Sequence, residues 1–125
     1  MKPAVLTLSE ASGLILNRQI SPLDLTRACL ERIEQLDPAL NCFITRTPEI
    51  ALEQARRLEH ALGNPDFTPG PLSGIPLALK DLYDTAGVLT TAGSTFFTNN
   101  IPAQDAQAVS RLKQSGAVLL GKLNM

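Results

Sequence analysis

Two short, nearly uninterrupted apolar runs limit most sharply how this chain can fold: Ile75-Pro76-Leu77-Ala78-Leu79-Lys80 and Ala117-Val118-Leu119-Leu120. Runs of this length, bounded by turn formers, suit strands buried on both faces. Pro76 has to stand at the start of the first, because proline has no N–H to give to a ladder. Between the runs, Asp105 is placed to cap a helix that turns Ala108, Val109 and Leu112 inward, and Gly116 closes it. Helix, glycine and apolar strand in that order make an αβ unit. The expected class is therefore α/β, with N-terminal helices followed by the first strands of a mixed, mostly buried sheet.

The N-terminal half reads as three helices. Thr7-Leu8-Ser9-Glu10 fits a capping box, and Leu8, Ala11 and Ile15 follow at helical spacing to a stop near Asn17-Arg18. Ser21 and Pro22 then supply an N-cap and a first-turn proline. Asp24 sits favourably in the first turn, and Leu25, Cys29, Ile33 and Leu36 form one stripe. Pro38 is expected to end this helix, since the residue before a proline is pushed out of the α region. Cys42 to Thr45 is a short strand candidate. The third helix opens with Thr47 as cap and Pro48 in its first turn, and carries Ala51, Ala55, Leu58 and Leu62 to a stop at Gly63. Residues 64–74, with three prolines, form a loop, and Val88 to Ser94 is irregular.

Charge is sparse and balanced, with 11 basic and 12 acidic residues making up 18% of the chain, below the usual quarter. That suits a segment that packs against more protein than it carries. With no basic stripe and no Trp, the footprint of a nucleic-acid binder is missing, and no direct nucleic-acid partner is expected. No apolar run approaches the ~20 residues of a membrane span, and Glu10 breaks the N-terminal apolar stretch too early for a signal peptide. A cytoplasmic location without membrane contact is expected. Cys29 and Cys42 read as two reduced, buried thiols. His60, the only histidine, lies on a polar helix face. No histidine triad, metal site or cofactor is expected.

Lys80 is the candidate for chemistry. It follows three apolar residues and emerges where a buried strand ends, with Ala78 on its own face and Leu77 and Leu79 on the other. Burial lowers a lysine's pKa and can make it a neutral base. The plain alternative is an ion pair with Asp81 or Asp84, with the stem lying along the core. Other features carry less. Gly116 to Leu123 nearly spells a phosphate loop, but Leu123 stands where Ser or Thr should hold magnesium. Ser94 has no base beside it and reads as scaffold, Tyr83 as packing, and Asp81 as a local backbone partner.

Three stretches resemble the amidase-signature family: Pro71 to Pro76 running into Lys80-Asp81, Thr90-Thr91-Ala92-Gly93-Ser94, and Gly116 to Met125. The helical start, with Ser21-Pro22 and Ala28 to Ile33, is similar too, so the likeness covers nearly the whole chain. The resemblance implies that Lys80 belongs to a Ser–cisSer–Lys triad. In such a triad the lysine takes a proton from a bridging serine, which deprotonates the nucleophile for attack on an amide carbonyl. Backbone N–H groups of a Gly/Ser-rich loop hold the oxyanion. Both serines belong to that loop, tens of residues past the lysine, and nothing here matches it. The resemblance thus implies that residues 1–125 are the N-terminal portion of one amidase-signature domain, incomplete relative to that fold and inactive alone, with a small-molecule amide as substrate in the full-length enzyme. The glutamine-hydrolysing component of a tRNA-dependent amidotransferase is a second reading in the same family. A non-catalytic αβ interaction module is a third. Uncovered apolar edges point to self-association of the isolated segment.

Overall fold

The computed structural model describes residues 2–125. After a 3₁₀ turn at Pro3–Val5 come α1 (Leu8–Leu16), α2 (Pro22–Leu40), β1 (Phe43–Arg46), α3 (Pro48–Leu62) and β2 (Pro76–Lys80). A second 3₁₀ turn (Thr95–Phe97), α4 (Gln107–Gln114) and β3 (Val118–Leu123) follow. The sheet runs β1-β3-β2, with β3 antiparallel to β1 and parallel to β2. Parallel neighbours need a crossover, and α4 lies within it. The mixed sheet anticipated from the two apolar runs is thus present.

β3 is the centre. Val118 to Lys122 are all buried; the apolar run implies this for Val118 to Leu120, and the burial extends two residues further. On one face Val118 and Leu120 pack with Ala51 and Ala55 of α3 and with Leu30 and Ile33 of α2. On the other, Leu119 packs with Leu79, Val88 and Val109 of α4. A third cluster joins Ala11, Ile15, Leu25 and Ile75 and fixes the entry of the chain into β2. β2 itself departs from burial on both faces. It pairs on one edge alone among the described residues, and Pro76 to Ala78 are half-buried.

The ladder slips once between β2 and β3: Leu77 pairs with Leu119, but Ala78 pairs with Gly121. Leu120 is the extra residue of a bulge, and a shift of one residue moves every later side chain to the opposite face. Unbroken alternation from Val118 would send Lys122 toward α3. The bulge turns it to the face of Leu79 and Val88. Gly121 makes this possible, because a Cβ there would run into the Thr45 carbonyl oxygen and the Phe43 ring.

Caps and stops follow the sequence in part. Thr7 and Glu10 form the capping box, and Ser21 accepts from the Asp24 N–H at 3.0 Å. Pro38 does not end α2. The helix continues to Leu40 and stops at Asn41, in the left-handed region at φ 52°. The missing Pro38 N–H deprives only the carbonyl of exposed Glu34. The last turn is meanwhile held by the Asp37 carboxylate, which accepts from the N–H groups of Cys42 and Phe43 at 2.7 and 3.2 Å. Thr47 precedes α3 without capping it, and its hydroxyl donates instead to the Leu119 carbonyl at 2.9 Å. Cys42 is exposed rather than buried, because it precedes β1 outside the packed stripe. Burial raises the Cys29 thiol pKa, opposed by Arg32. Leu8 and Leu36 are exposed, as is Ala108, while Val109 is buried.

Asp105 does not cap α4 either. The helix starts two residues later, and the cap position is Ala106. The Asp105 carboxylate instead accepts from the Ala86 N–H at 2.8 Å and from Lys113 Nζ at 2.8 and 2.9 Å, tying the loop after β2 to α4. Burial pushes the Asp105 carboxyl up, but the hydrogen bonds from Lys113 and Ala86 and the ammonium charge outweigh this and hold it below its ordinary 3.8. A depressed carboxyl contributes stability that is present above its unfolded pKa and is lost as pH falls through the folded one. Asp105→Asn is therefore expected to lower the thermal midpoint near neutral pH, with the gap to wild type closing as pH drops below 3.8. Midpoints measured across the acid range check this, and parallel curves would contradict it.

Candidate active site

Lys80 closes β2 with an exposed side chain. Its backbone is fixed on both sides. Its own carbonyl accepts from the Tyr83 N–H at 3.1 Å, which makes a tight turn, and the next N–H, that of Asp81, donates to the Leu123 carbonyl at 3.2 Å. The ion pair with Asp81 or Asp84 does not form, and no carboxylate lies within salt-bridge distance of Lys80 among the described residues. The core-rim burial anticipated for Lys80 is also not found: strand alternation sends Leu79 and Asp81 inward and Lys80 outward.

The buried lysine is Lys122, which in the sequence falls inside the near-match to a phosphate loop. Its side chain is 0% exposed and lies 3.7 Å from Asp81 Oδ1, itself 1% exposed. Lys122 Nζ donates to the Tyr83 carbonyl at 2.9 Å and to Thr90 Oγ1 at 2.8 Å. Burial pushes its pKa down, opposed by the carboxylates of Asp81 and Asp84. Asp81 Oδ2 accepts from the N–H of Thr91 at 3.1 Å and from its hydroxyl. The Asp81 carbonyl accepts from the Ala92 N–H at 2.8 Å. Asp81 is thus the local backbone partner its position suggested, for the 88–94 loop. The sequence signal for Lys122 is a charged residue inside an apolar strand, which is rarely left without a partner.

Ser94 behaves as scaffold, accepting from the Phe96 N–H at 3.1 Å. Tyr83 is part-exposed. Among the described residues no group of three His, Cys, Asp or Glu side chains is placed to hold a metal, and no helix is long and apolar enough to cross a membrane. The arrangement presents one exposed primary amine, free of a carboxylate partner among the described residues, on a strand end anchored from beneath by a buried ion pair.

Comparison with known proteins gives this geometry a context. The chain matches the Amidase family over residues 24–125. The chain belongs to the amidase-signature family. Within the family it is 50% identical over 119 residues to the A component of the glutamyl-tRNA(Gln) amidotransferase of Methylococcus capsulatus, covering 95% of this chain and 24% of that protein. It is 46% identical to the same component from Moorella thermoacetica over 96% of this chain and 24% of the relative. Among solved structures it superposes on a native peptide amidase from Stenotrophomonas maltophilia with a TM-score of 0.89 at 35% identity, covering 98% of this chain and 25% of that one. Fatty acid amide hydrolase superposes with a TM-score of 0.91 at 25% identity, over 97% of this chain and 21% of the other. The chain therefore spans about a quarter of the length of the family members it matches, and its strands and helices form a corresponding part of their fold.

The buried pair makes a stability prediction. Removing one partner of a buried ion pair leaves the other charge uncompensated and costs about 3–5 kcal/mol, whereas replacing both is often near neutral. Lys122→Met is expected to destabilise by that amount, and Asp81→Asn with Lys122→Met to recover most of the loss, as read from urea midpoints. A single variant as stable as wild type would show that the pair contributes nothing to the stability of the fold.

Proposed function

We propose that these residues are the lysine-bearing part of an enzyme that hydrolyses carboxylic amide C–N bonds, with Lys80 as its base. The observation that carries this reading is the exposed amine of Lys80, free of a carboxylate partner among the described residues, at the end of β2. It stands within the stretch that resembles the lysine region of the amidase-signature family. An amine tied to a carboxylate would be turned away from a serine, and among the described residues Lys80 has no such tie. In this reading Lys80 accepts a proton from a bridging serine, which takes one from the nucleophilic serine. The nucleophile adds to the amide carbonyl, the amine leaves with a proton, and water then hydrolyses the acyl-enzyme. Both serines come from outside residues 1–125.

A second reading narrows the substrate to glutamine, whose side-chain amide would release ammonia for a partner protein. The identity of 50% to an amidotransferase component, against 25% and 35% to the fatty acid amide hydrolase and the peptide amidase, supports it. Release of glutamate from glutamine, set against turnover of simple aryl and peptide amides, separates the two.

In the complete gene product Lys80→Ala is expected to fold normally and to lose roughly 10²–10⁴ in rate or more, since a general base contributes that much and triad members act as a unit. A variant within a few-fold of wild type would make Lys80 a bystander. Residues 1–125 alone are expected to show no amide turnover and to self-associate. Phe96, Ile101 and Met125 are 86%, 61% and 60% exposed, and β1 and β2 each leave an edge unpaired among the described residues. Light scattering after size exclusion checks this, and a sharp monomer with a cooperative thermal transition would favour a stand-alone interaction module.

A further inference from the structure

A fully buried lysine is a costly way to fill the interior of a strand. A buried ion pair is weak evidence for stability, because an apolar pair of similar volume would serve as well. What Lys122 supplies beyond packing is geometry at the end of β2. Its ammonium binds the Tyr83 carbonyl at 2.9 Å, and the Tyr83 N–H binds the Lys80 carbonyl at 3.1 Å. Thr85 Oγ1 donates to the same Tyr83 carbonyl at 3.0 Å. Asp81, adjacent to Lys80, is locked by Thr91 through its side chain and by Leu123 and Ala92 through its backbone. Lys80 and Lys122 point to opposite sides of the sheet end: one is exposed, the other 0% exposed.

Resting on the reading of Lys80 as the base, we propose that Lys122 and Asp81 are positioning residues for it. They hold the Lys80–Tyr83 turn so that the Lys80 amine meets its serine partner at one fixed distance. Thr90 and Thr91 complete the device by orienting Lys122 and Asp81 respectively. Proton transfer is sensitive to such placement, and a displacement of about 1 Å costs on the order of 100-fold. The pair acts through the backbone and touches no reacting atom.

The test uses the complete gene product and steady-state kinetics on the amide it turns over. Asp81→Asn with Lys122→Met removes both charges together and so avoids a lone buried ion. It is expected to fold, to lose roughly tenfold or more in kcat with KM within about threefold, and to displace the limb of the kcat–pH profile along which rate falls as pH is lowered and the general base is protonated. Thr90→Val, nearly isosteric, removes one acceptor from Lys122 and is the variant that decides if the double one does not fold. It is expected to lower kcat and shift the profile in the same sense, and Thr90→Ser to restore both. Wild-type kcat and an unshifted profile in these variants, with Lys80→Ala inactive, would overturn the positioning role and leave the base reading standing. A fully active Lys80→Ala, or a wild-type protein that hydrolyses no amide, would overturn both.

Discussion

The contact on which the rest of this structure depends is the one between Lys122 and the end of β2. A charged side chain in the middle strand of a sheet has to find partners, since an isolated buried ammonium would cost far more than the domain's net stability allows. Lys122 finds them in the Tyr83 carbonyl, Thr90 Oγ1 and, at 3.7 Å, Asp81. Meeting them requires that Lys122 face the loop side of the sheet, and the bulge at Leu120 with a glycine at 121 achieves that. The same bulge leaves Val118 and Leu120 toward α3 and Leu119 toward α4. One backbone irregularity thus places both the core and the polar network.

The network makes the loop beyond β2 part of the scaffold. The 85–94 segment contains no regular strand, yet Thr85, Val88, Thr90 and Thr91 are buried and hydrogen-bonded. Asp105 ties the same region to α4 through the Ala86 N–H. A strand end braced in this way is the kind of rigid support from which a reactive side chain can be presented with little freedom. Lys80 is the exposed residue at that end.

Much of this is legible in the amino-acid sequence, and the parts that are not share a cause. Apolar runs and cap residues are local signals, and they locate α1, the start of α2, β2, β3 and the parallel crossover. Pro38, Thr47 and Asp105 each carry a strong local propensity that a partner distant in sequence or a neighbouring loop redirects. Asp37 holds the turn that Pro38 should have broken, Leu119 takes the Thr47 hydroxyl, and Lys113 and Ala86 take the Asp105 carboxylate. Lys80 stands out in the sequence because a charged residue ends an apolar run. Asp81 is not its partner, because residues adjacent on a strand point to opposite faces. A charge at Lys122 beside an apolar run signals that it needs a partner, but the face it takes follows from the register slip, which no periodicity argument on β3 alone contains.

The membership of the chain in the amidase-signature family and the placement of Lys80 meet in a single geometric claim: the amine of Lys80 stands against a serine. The most direct measurement is an experimental structure of the complete gene product, read for the distance from Lys80 Nζ to the nearest serine hydroxyl. A serine oxygen is expected at hydrogen-bond distance, about 2.6–3.2 Å, with Lys122 still on the Tyr83 carbonyl. A Lys80 ammonium paired with a carboxylate, or with no serine within reach, would contradict it.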